Sequence, residues 1–185
     1  MRSYIEMEVP LHHRAKWIAQ LKHAFHNTDI KVAWKVPGHP HLTLAFMNET
    51  PNTVTLAAAV ERCLRKTTVP TILFDRLDVF PALSGTKYVI NLTTINVPEN
   101  FQSLVNDVRA VLEENGAVID SPFRFHVTLG EVYDTKIDMA RIEEILRSVT
   151  LPLFSLRLNI VNFLEFCGKR TNFANWNYDE MIKNY

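Results

Sequence analysis

The sequence predicts an α+β protein built from a duplicated unit. A tetrapeptide of histidine, apolar residue, threonine and apolar residue occurs twice: HLTL begins at His41, and HVTL begins at His126, 85 positions later (126 − 41). Each copy lies within the same order of patterns, which is strand, helix, His-x-Thr strand, helix, strand. A Thr-apolar-Pro segment also recurs before the last strand of each half, at residues 68–70 and 150–152.

In the first half, residues 4–9 alternate between apolar and polar side chains, which indicates a half-buried strand that ends at Pro10. Apolar residues near helical spacing predict a helix over 11–25, and a short strand over 31–36 follows. The His-x-Thr strand covers 41–47 after a Pro-Gly turn. A helix from 53 to about 65 and a long strand over 72–80 complete the half.

In the second half, residues 87–93 form a strand and 98–114 a helix, with Pro98 at its start and Gly116 just past its end. The second His-x-Thr strand covers 123–132, a helix covers about 137–149, and a last strand covers 153–166. We therefore expect one domain over 1–185, with lobe-like halves of about 1–86 and 87–185.

The bulk composition is that of an ordinary globular protein with no net charge, because 20 basic residues balance 20 acidic ones. This balance argues against a protein held on long nucleic acid by charge alone. Cys63 and Cys167 have neither metal-ligand spacing nor the number needed for a disulfide framework. The chain has no apolar run long enough for a membrane span, and residues 1–10 lack a signal-peptide core. We expect a cytoplasmic protein with reduced thiols and no membrane partner.

The two motifs predict one site with two histidines. Side chains alternate along a strand, so His41 and Thr43 share one face, and His126 and Thr128 share the equivalent face of the second strand. One motif alone is a weak signal that fits an ordinary solvent-facing strand, but the matched pair favours a site. If a pseudo-two-fold axis relates the halves, the two strands meet at the axis and each histidine faces a shared cleft.

The same alternation extends the predicted cleft. Ala45 and Gly130 lie two positions past each threonine and, being small, would leave room for a substrate. Arg124 lies two positions before the second histidine, where the first half has His39.

Tyr4 and Lys87 would face the cleft from the first strand of each half. Tyr4 could stack on a base, and Lys87 and Arg124 could contact phosphate, although solvated side chains at strand ends are the plain alternative.

Two imidazoles and two hydroxyls suit the cleavage of a phosphodiester. Imidazole titrates near pH 6.5, so one histidine can remove a proton from the attacking oxygen while the other protonates the leaving oxygen. The threonine hydroxyls can donate hydrogen bonds to the non-bridging oxygens. This chemistry requires no metal.

At these residues the chain resembles the 2H phosphoesterases, a superfamily that includes 2′-5′ RNA ligase-like proteins and cyclic phosphodiesterases. The resemblance spans the whole chain and rests on HLTL and HVTL. It implies a bilobal fold with two antiparallel sheets around a central cleft and helices on the outside. It also implies His41, Thr43, His126 and Thr128 as the catalytic residues, and RNA ends or nucleotide cyclic phosphates as substrates, without cofactor or metal. The chain departs from many relatives in having Glu131 where they have arginine.

We therefore expect a phosphodiesterase that hydrolyses 2′,3′-cyclic or related nucleotide cyclic phosphates or 2′-5′ linkages, acting as a monomer on a nucleotide or short RNA. Reversible 2′-5′ RNA ligation is the alternative within the enzyme class. An RNA- or nucleotide-binding module without turnover is the alternative from another class. A transition-metal hydrolase is disfavoured, because neither motif has additional ligands at metal-binding spacing.

Overall fold

The computed structural model describes residues 3–49, 53–119, 121–165 and 170–175, which form eleven strands and four helices. The strands are β1 Ser3–Glu8, β2 Ala33–Trp34, β3 His41–Glu49, β4 Thr71–Phe74, β5 Arg76–Pro81, β6 Tyr88–Thr93, β7 Val118–Ile119, β8 Val127–Val132, β9 Phe154–Arg157, β10 Ile160–Glu165 and β11 Arg170–Asn175. The helices are α1 Ala15–His26, α2 Thr53–Leu64, α3 Glu99–Glu114 and α4 Met139–Ser148.

The helices form where the apolar spacing predicts them, and local signals set their ends. Pro98 precedes α3 in an extended conformation, and Gly116 follows that helix with a φ of +85°, which favours glycine. At the start of α4, the Asp138 side chain accepts a hydrogen bond from the backbone N–H of Ala140 at 3.0 Å. Every helix contributes to one continuous cluster of buried apolar side chains. None of the described helices is both long and apolar enough to cross a bilayer.

The described strands pair antiparallel in two sheets, which confirms the predicted fold class. The larger sheet has the order β11-β10-β1-β3-β8-β6-β5, with β2 also paired to β8 and β7 to β3, and the smaller sheet is β4-β9. The two halves meet where β3 pairs with β8 through Leu42 and Val127. This contact brings the two His-x-Thr segments side by side at the centre of the larger sheet. The predicted boundary between halves near residue 86 stays a prediction.

The last strand of each half is broken, which differs from the continuous strands predicted over 72–80 and 153–166. The first pieces, β4 and β9, pair with each other, whereas β5 pairs with β6 and β10 pairs with β1. The break in the first half lies at Asp75, whose carboxylate accepts a hydrogen bond from the backbone N–H of Ile95 at 2.8 Å. Each half therefore lends a strand to the other. Residue 166 lies outside the described residues.

A bulge in β3 changes which side chains reach the cleft. Thr43 lies opposite Glu6 of β1, but Ala45 lies opposite the adjacent residue Ile5, so Leu44 is an extra residue in the strand. The alternation shifts by one at a bulge. The side chain of Ala45 consequently lies on the side of core residue Ile5 and not on the predicted cleft face, although Ala45 still contributes atoms to the lining of the cavity beside the motifs.

A matching bulge follows the second motif. Thr128 lies opposite Asn91 of β6, and Gly130 lies opposite the adjacent core residue Ile90, so Leu129 is the extra residue. Gly130 therefore leaves the cleft face as well, which corrects the second half of the same prediction.

Gly130 is required by close packing against the β2 segment. A Cβ atom there would lie 2.6 Å from Cγ1 of Val32 and 3.0 Å from Cε3 of Trp34, both of which are side-chain atoms. The glycine therefore makes room for the protein's own tryptophan, not for a substrate.

Candidate active site

His41 is the first residue of β3, and a contact with a backbone carbonyl fixes the orientation of its ring. Its Nδ1 lies 3.0 Å from the backbone carbonyl oxygen of His39, two residues earlier. In the neutral ring, the proton is therefore on Nδ1 and is donated to this carbonyl. Nε2 remains as the nitrogen that can exchange a proton with a substrate.

A buried carboxylate lies behind His41. Glu6 of β1 has 0% exposure, and one of its oxygens, Oε1, accepts a hydrogen bond from Nε2 of His39 at 2.5 Å. Its other oxygen, Oε2, lies 3.3 Å from Nδ1 of His41. Asn162 of β10 also donates to Glu6, at 3.3 Å. Sequence reasoning missed Glu6, although its position on the polar side of the first strand, opposite a His-x-His segment, was a usable signal.

Tyr4 lies beside His41, as the strand alternation predicts. The two rings stack with centroids 5.7 Å apart, and the Phe46 ring also contacts Tyr4, with centroids 5.3 Å apart. Phe46 reaches this surface because the bulge after Thr43 turns it outward, and 37% of it is exposed. A stacking role for Tyr4 toward a base stays a prediction.

His126 lies immediately before β8 and repeats the geometry of His41. Its Nδ1 lies 2.9 Å from the carbonyl oxygen of Arg124, again two residues earlier, which leaves Nε2 available. Burial lowers the pKa of His126 below 6.5, and the nearby charges of Arg124 and His41 lower it further, against the opposing effect of the carbonyl contact. The edge of the imidazole meets Phe80 at right angles, with centroids 5.1 Å apart. The neutral form of His126 is therefore favoured.

Thr43 and Thr128 occupy equivalent places, two residues after each histidine and just before each bulge. Both side chains are half-buried. Within the described part of the chain, neither hydroxyl has a hydrogen-bond partner. Both hydroxyls are therefore available to donate to a bound anion.

Arg124 is exposed to solvent, whereas Lys87 is held in an ion pair. The Arg124 guanidinium lies 3.6 Å above the centre of the Phe80 ring and is solvent-exposed, so it remains available to a phosphate. Lys87 is bound to Glu131 in an ion pair. Its predicted contact with phosphate stays a prediction, and it would require Lys87 to leave this carboxylate.

Glu131 is the centre of a second charged cluster. Lys35 lies 2.9 Å from it and the Tyr133 hydroxyl donates to it at 2.7 Å. Burial acts to raise the pKa of Glu131, but the hydrogen bonds from Lys87, Tyr133 and Lys35 outweigh burial and lower the pKa to about 2. Glu131 is therefore ionised and held by two lysines.

A cavity of about 830 Å³ opens beside the two motifs. This volume is within the range of pockets that bind small organic ligands. None of the residues described as lining it is acidic. Its lining combines catalytic candidates, aromatic rings and arginines, including Thr43, His126, Phe46, Phe80, Phe123, Arg109 and Arg124. This composition suits an anionic ligand with an aromatic part.

One group of described side chains could hold a metal ion. The ligand atoms of Glu6, His39 and His41 all lie within 4.8 Å of one another, and histidine with carboxylate is a donor set that zinc accepts. A metal there would have to replace the hydrogen bond between His39 and Glu6. The expectation of a metal-free reaction stays a prediction.

Comparisons with known proteins agree with the geometry. The family model described as the 2′-5′ RNA ligase superfamily matches residues 10–166, in line with the resemblance predicted from the two motifs. No curated protein matches the chain by sequence.

Several solved structures share the fold. A protein described as a phosphoesterase has 20% identity and a TM-score of 0.58, with 95% of this chain and 96% of that chain covered. E. coli LigT complexed with 3′-AMP has 20% identity and a TM-score of 0.57, with 95% of this chain and 96% of that chain covered. Usb1 of Kluyveromyces marxianus with uridine monophosphate has 10% identity and a TM-score of 0.60, with 94% of this chain and 98% of that chain covered. At these identities the likeness shows a common fold.

Proposed function

Because the chain belongs to the 2′-5′ RNA ligase superfamily, we propose that it is a phosphodiesterase that uses two histidines to hydrolyse nucleotide phosphodiesters. The substrates would be 2′,3′-cyclic or related nucleotide cyclic phosphates, or 2′-5′ linkages. The observation that carries the proposal is the repeated arrangement of His41 and His126. Each ring is held through Nδ1 by the carbonyl two residues earlier, and each keeps Nε2 for proton transfer beside an available threonine hydroxyl.

The surroundings of the two rings suggest their roles. His126, whose pKa is lowered, is neutral near pH 7 and suits the base. His41 has the carboxylate of Glu6 at 3.3 Å from Nδ1, which stabilises a positive charge on this ring and suits the acid.

Hydrolysis of a cyclic phosphate then follows in one displacement. A water molecule gives a proton to Nε2 of His126, and its oxygen forms a bond to phosphorus. One ribose P–O bond breaks, and the released oxygen takes a proton from Nε2 of His41. The hydroxyls of Thr43 and Thr128 donate to the non-bridging oxygens as negative charge grows there. Proton exchange with solvent restores both rings.

The cavity supports a nucleotide as substrate. A base can stack on an aromatic wall such as Phe46, while Arg109 and Arg124 offer positive charge to phosphate. LigT has been solved complexed with 3′-AMP and Usb1 with uridine monophosphate, and both ligands belong to this class.

Ligation is the second candidate, and the family description favours its consideration. The 5′-hydroxyl of one RNA would take the place of water: it gives its proton to His126 as its oxygen attacks the cyclic phosphate of another RNA, and the released 3′-oxygen takes a proton from His41. Incubation of RNA halves that carry these two ends would give a 2′-5′ joined product if ligation occurs.

The proposal includes activity without a metal, as a monomer in the cytoplasm. Metal independence is supported by an acid, a base and hydroxyl donors that together supply every proton transfer. Retained activity in a chelator and the elution volume in gel filtration test the first two points.

The test is hydrolysis of a substrate panel in chelator. The panel contains the four nucleoside 2′,3′-cyclic phosphates, ADP-ribose 1″,2″-cyclic phosphate and a 2′-5′ oligoadenylate. We expect at least one substrate to be turned over, and His41→Ala to lower kcat by roughly 100-fold or more. His23→Ala, which removes an exposed histidine from α1, is the matched control and should behave as wild type. Absence of turnover on every member would contradict the proposal.

A further inference from the structure

The two halves differ in one residue of the site. Glu6 lies opposite Thr43 in the first half, and Asn91 lies opposite Thr128 in the second. Both are almost fully buried. The Asn91 amide donates to the backbone oxygen of Asp78 at 3.0 Å and contacts no imidazole within the described residues. Only the first half therefore places a carboxylate next to its histidine.

The residue two positions before each histidine also differs between the two halves. His39 stacks against His41 with ring centroids 5.6 Å apart and planes 29° apart, and it donates to Glu6. Arg124, the equivalent residue, lies over the Phe80 ring. His39 and Glu6 are therefore connected to each other and to His41, and no counterpart surrounds His126 in the part of the chain that the structure describes.

A buried carboxylate at this position destabilises the fold unless its charge is compensated by neighbouring groups. Glu6 lies in the interior of β1 between Ile5 and Met7, and all three have 0% exposure. Burial of a charged group is unfavourable unless hydrogen bonds and opposite charges compensate. The compensating partners of Glu6 include His39 and Asn162. Its Oε2 also lies 3.3 Å from Nδ1 of His41, where the negative charge of the carboxylate would attract the positive charge of a protonated ring.

We propose that Glu6 and His39 form a positioning pair for His41. Glu6 holds His39 through Nε2, and the His39 backbone carbonyl together with the second oxygen of Glu6 holds Nδ1 of His41. The pair fixes the tautomer in which Nε2 faces the substrate and stabilises the positive charge on the ring during proton transfer. Neither residue touches substrate. The inference rests on the proposed two-histidine function.

The first test is the Glu6→Gln variant, which keeps the size of the side chain and removes its charge. We expect kcat to fall roughly 10- to 100-fold, a part of what an acid–base residue contributes, with KM within about twofold of wild type. Glu113→Gln is the matched control, because it removes an equal charge from an exposed position on α3 and should retain wild-type kcat. An equal loss of kcat in both variants would overturn the proposal, because it would indicate a general effect of charge.

The second test uses His39 and does not disturb the buried carboxylate. His39→Gln keeps an N–H donor at similar reach, and His39→Ala does not. We expect His39→Gln to keep clearly more of the wild-type kcat than His39→Ala. Equal kcat for the two variants would show that the donor is unimportant and would contradict the proposal.

A direct readout of the ring comes from ¹⁵N NMR of His41. We expect the neutral ring to carry its proton on Nδ1 in the wild type and to lose part of this preference in Glu6→Gln and His39→Ala, because the backbone carbonyl of residue 39 remains as an acceptor while the contribution of the carboxylate is lost or disturbed. Thermal melting identifies a variant that has lost its fold. Should Glu6→Gln unfold, the His39 variants decide the question alone.

The outcomes separate this inference from the proposed function. If His41→Ala is inactive while Glu6→Gln and His39→Ala keep kcat within about twofold and an unchanged tautomer, the positioning pair is refuted and the two-histidine mechanism stands. If the wild type turns over no member of the panel, the proposed function fails, and an unchanged tautomer in both variants would then refute the pair on its own.

Discussion

Replacement of Glu131 by glutamine tests the charged cluster that Glu131 forms with Lys35, Lys87 and Tyr133. Glutamine preserves the shape and one acceptor oxygen but removes the charge that Lys35, Lys87 and Tyr133 hold. Their hydrogen bonds outweigh burial and lower the pKa of Glu131 from 4.5 to about 2. One pKa unit corresponds to about 1.4 kcal/mol, so this lowering of about 2.5 units is worth at most about 3.5 kcal/mol.

Solvent reduces this value. The side chain of Lys35 is 49% exposed and that of Lys87 is 28% exposed, so water screens part of the attraction to Glu131. We expect a loss of about 1–2 kcal/mol at pH 7, or a fall in Tm of about 2–8 °C for a protein of this size. Urea denaturation and thermal melting measure both quantities.

The pH dependence gives the sharper result. Because the folded pKa is below the unfolded one, the stabilisation is complete above about pH 4.5 and is lost as the pH falls toward 2. The difference between wild type and Glu131→Gln should therefore be largest at pH 7 and shrink by more than half at pH 3. Glu143→Gln, which breaks an exposed pair on α4, is the control and should cost less than about 0.5 kcal/mol. A difference that is absent at pH 7, or that is unchanged at pH 3, would refute the reasoning.

Three further predictions follow from the site and its supports. Gly130→Ala should lower the free energy of unfolding by about 1–3 kcal/mol, because the added methyl group meets Trp34, and urea denaturation measures this loss. Thr128→Val should lower kcat roughly 100-fold with an unchanged circular dichroism spectrum, because one donor to the non-bridging oxygens is lost. Arg124→Gln should raise the pKa of His126 in an NMR titration, because a nearby positive charge is removed, although burial keeps that pKa below 6.5. Wild-type values in these three measurements would contradict the respective arguments.

The sequence predicts the fold class and the central pair of strands because their signals are local. Helical spacing, a proline before a helix and a glycine after it act within a few residues of the chain. The alternation of side chains likewise puts His41 and Thr43 on one face of β3, because the bulge lies after Thr43, and Tyr4 of β1 stacks on His41 from this face.

The bulges could not be read from the sequence. Residues 44–47 (Leu44, Ala45, Phe46 and Met47) are all apolar, so their pattern does not indicate which of them face the core and which face the cleft. One extra residue then decides that Ala45 is buried and that Phe46 is exposed. The shift is visible only in the pairing with β1.

The two charged clusters depend on contacts between distant segments. Burial of Glu6 requires partners from β10 and from the segment before β3, and Glu131 is held by lysines from two other parts of the chain. No pattern within one strand records such partners. The prediction for Lys87, a phosphate contact or a solvated strand end, therefore did not include its ion pair, and the contacts of Glu6 with His39 and His41 were missed altogether.

The most direct test of the central claim is the pH dependence of kcat/KM for the best cyclic phosphate substrate, measured in chelator. Wild type, His41→Ala and His126→Ala are compared at each pH. We expect a bell-shaped profile for the wild type, as required by one neutral and one protonated imidazole, and a loss of roughly 100-fold or more in each variant across the whole range. A variant that keeps wild-type kcat/KM, or an activity that disappears in chelator, would contradict the two-histidine mechanism.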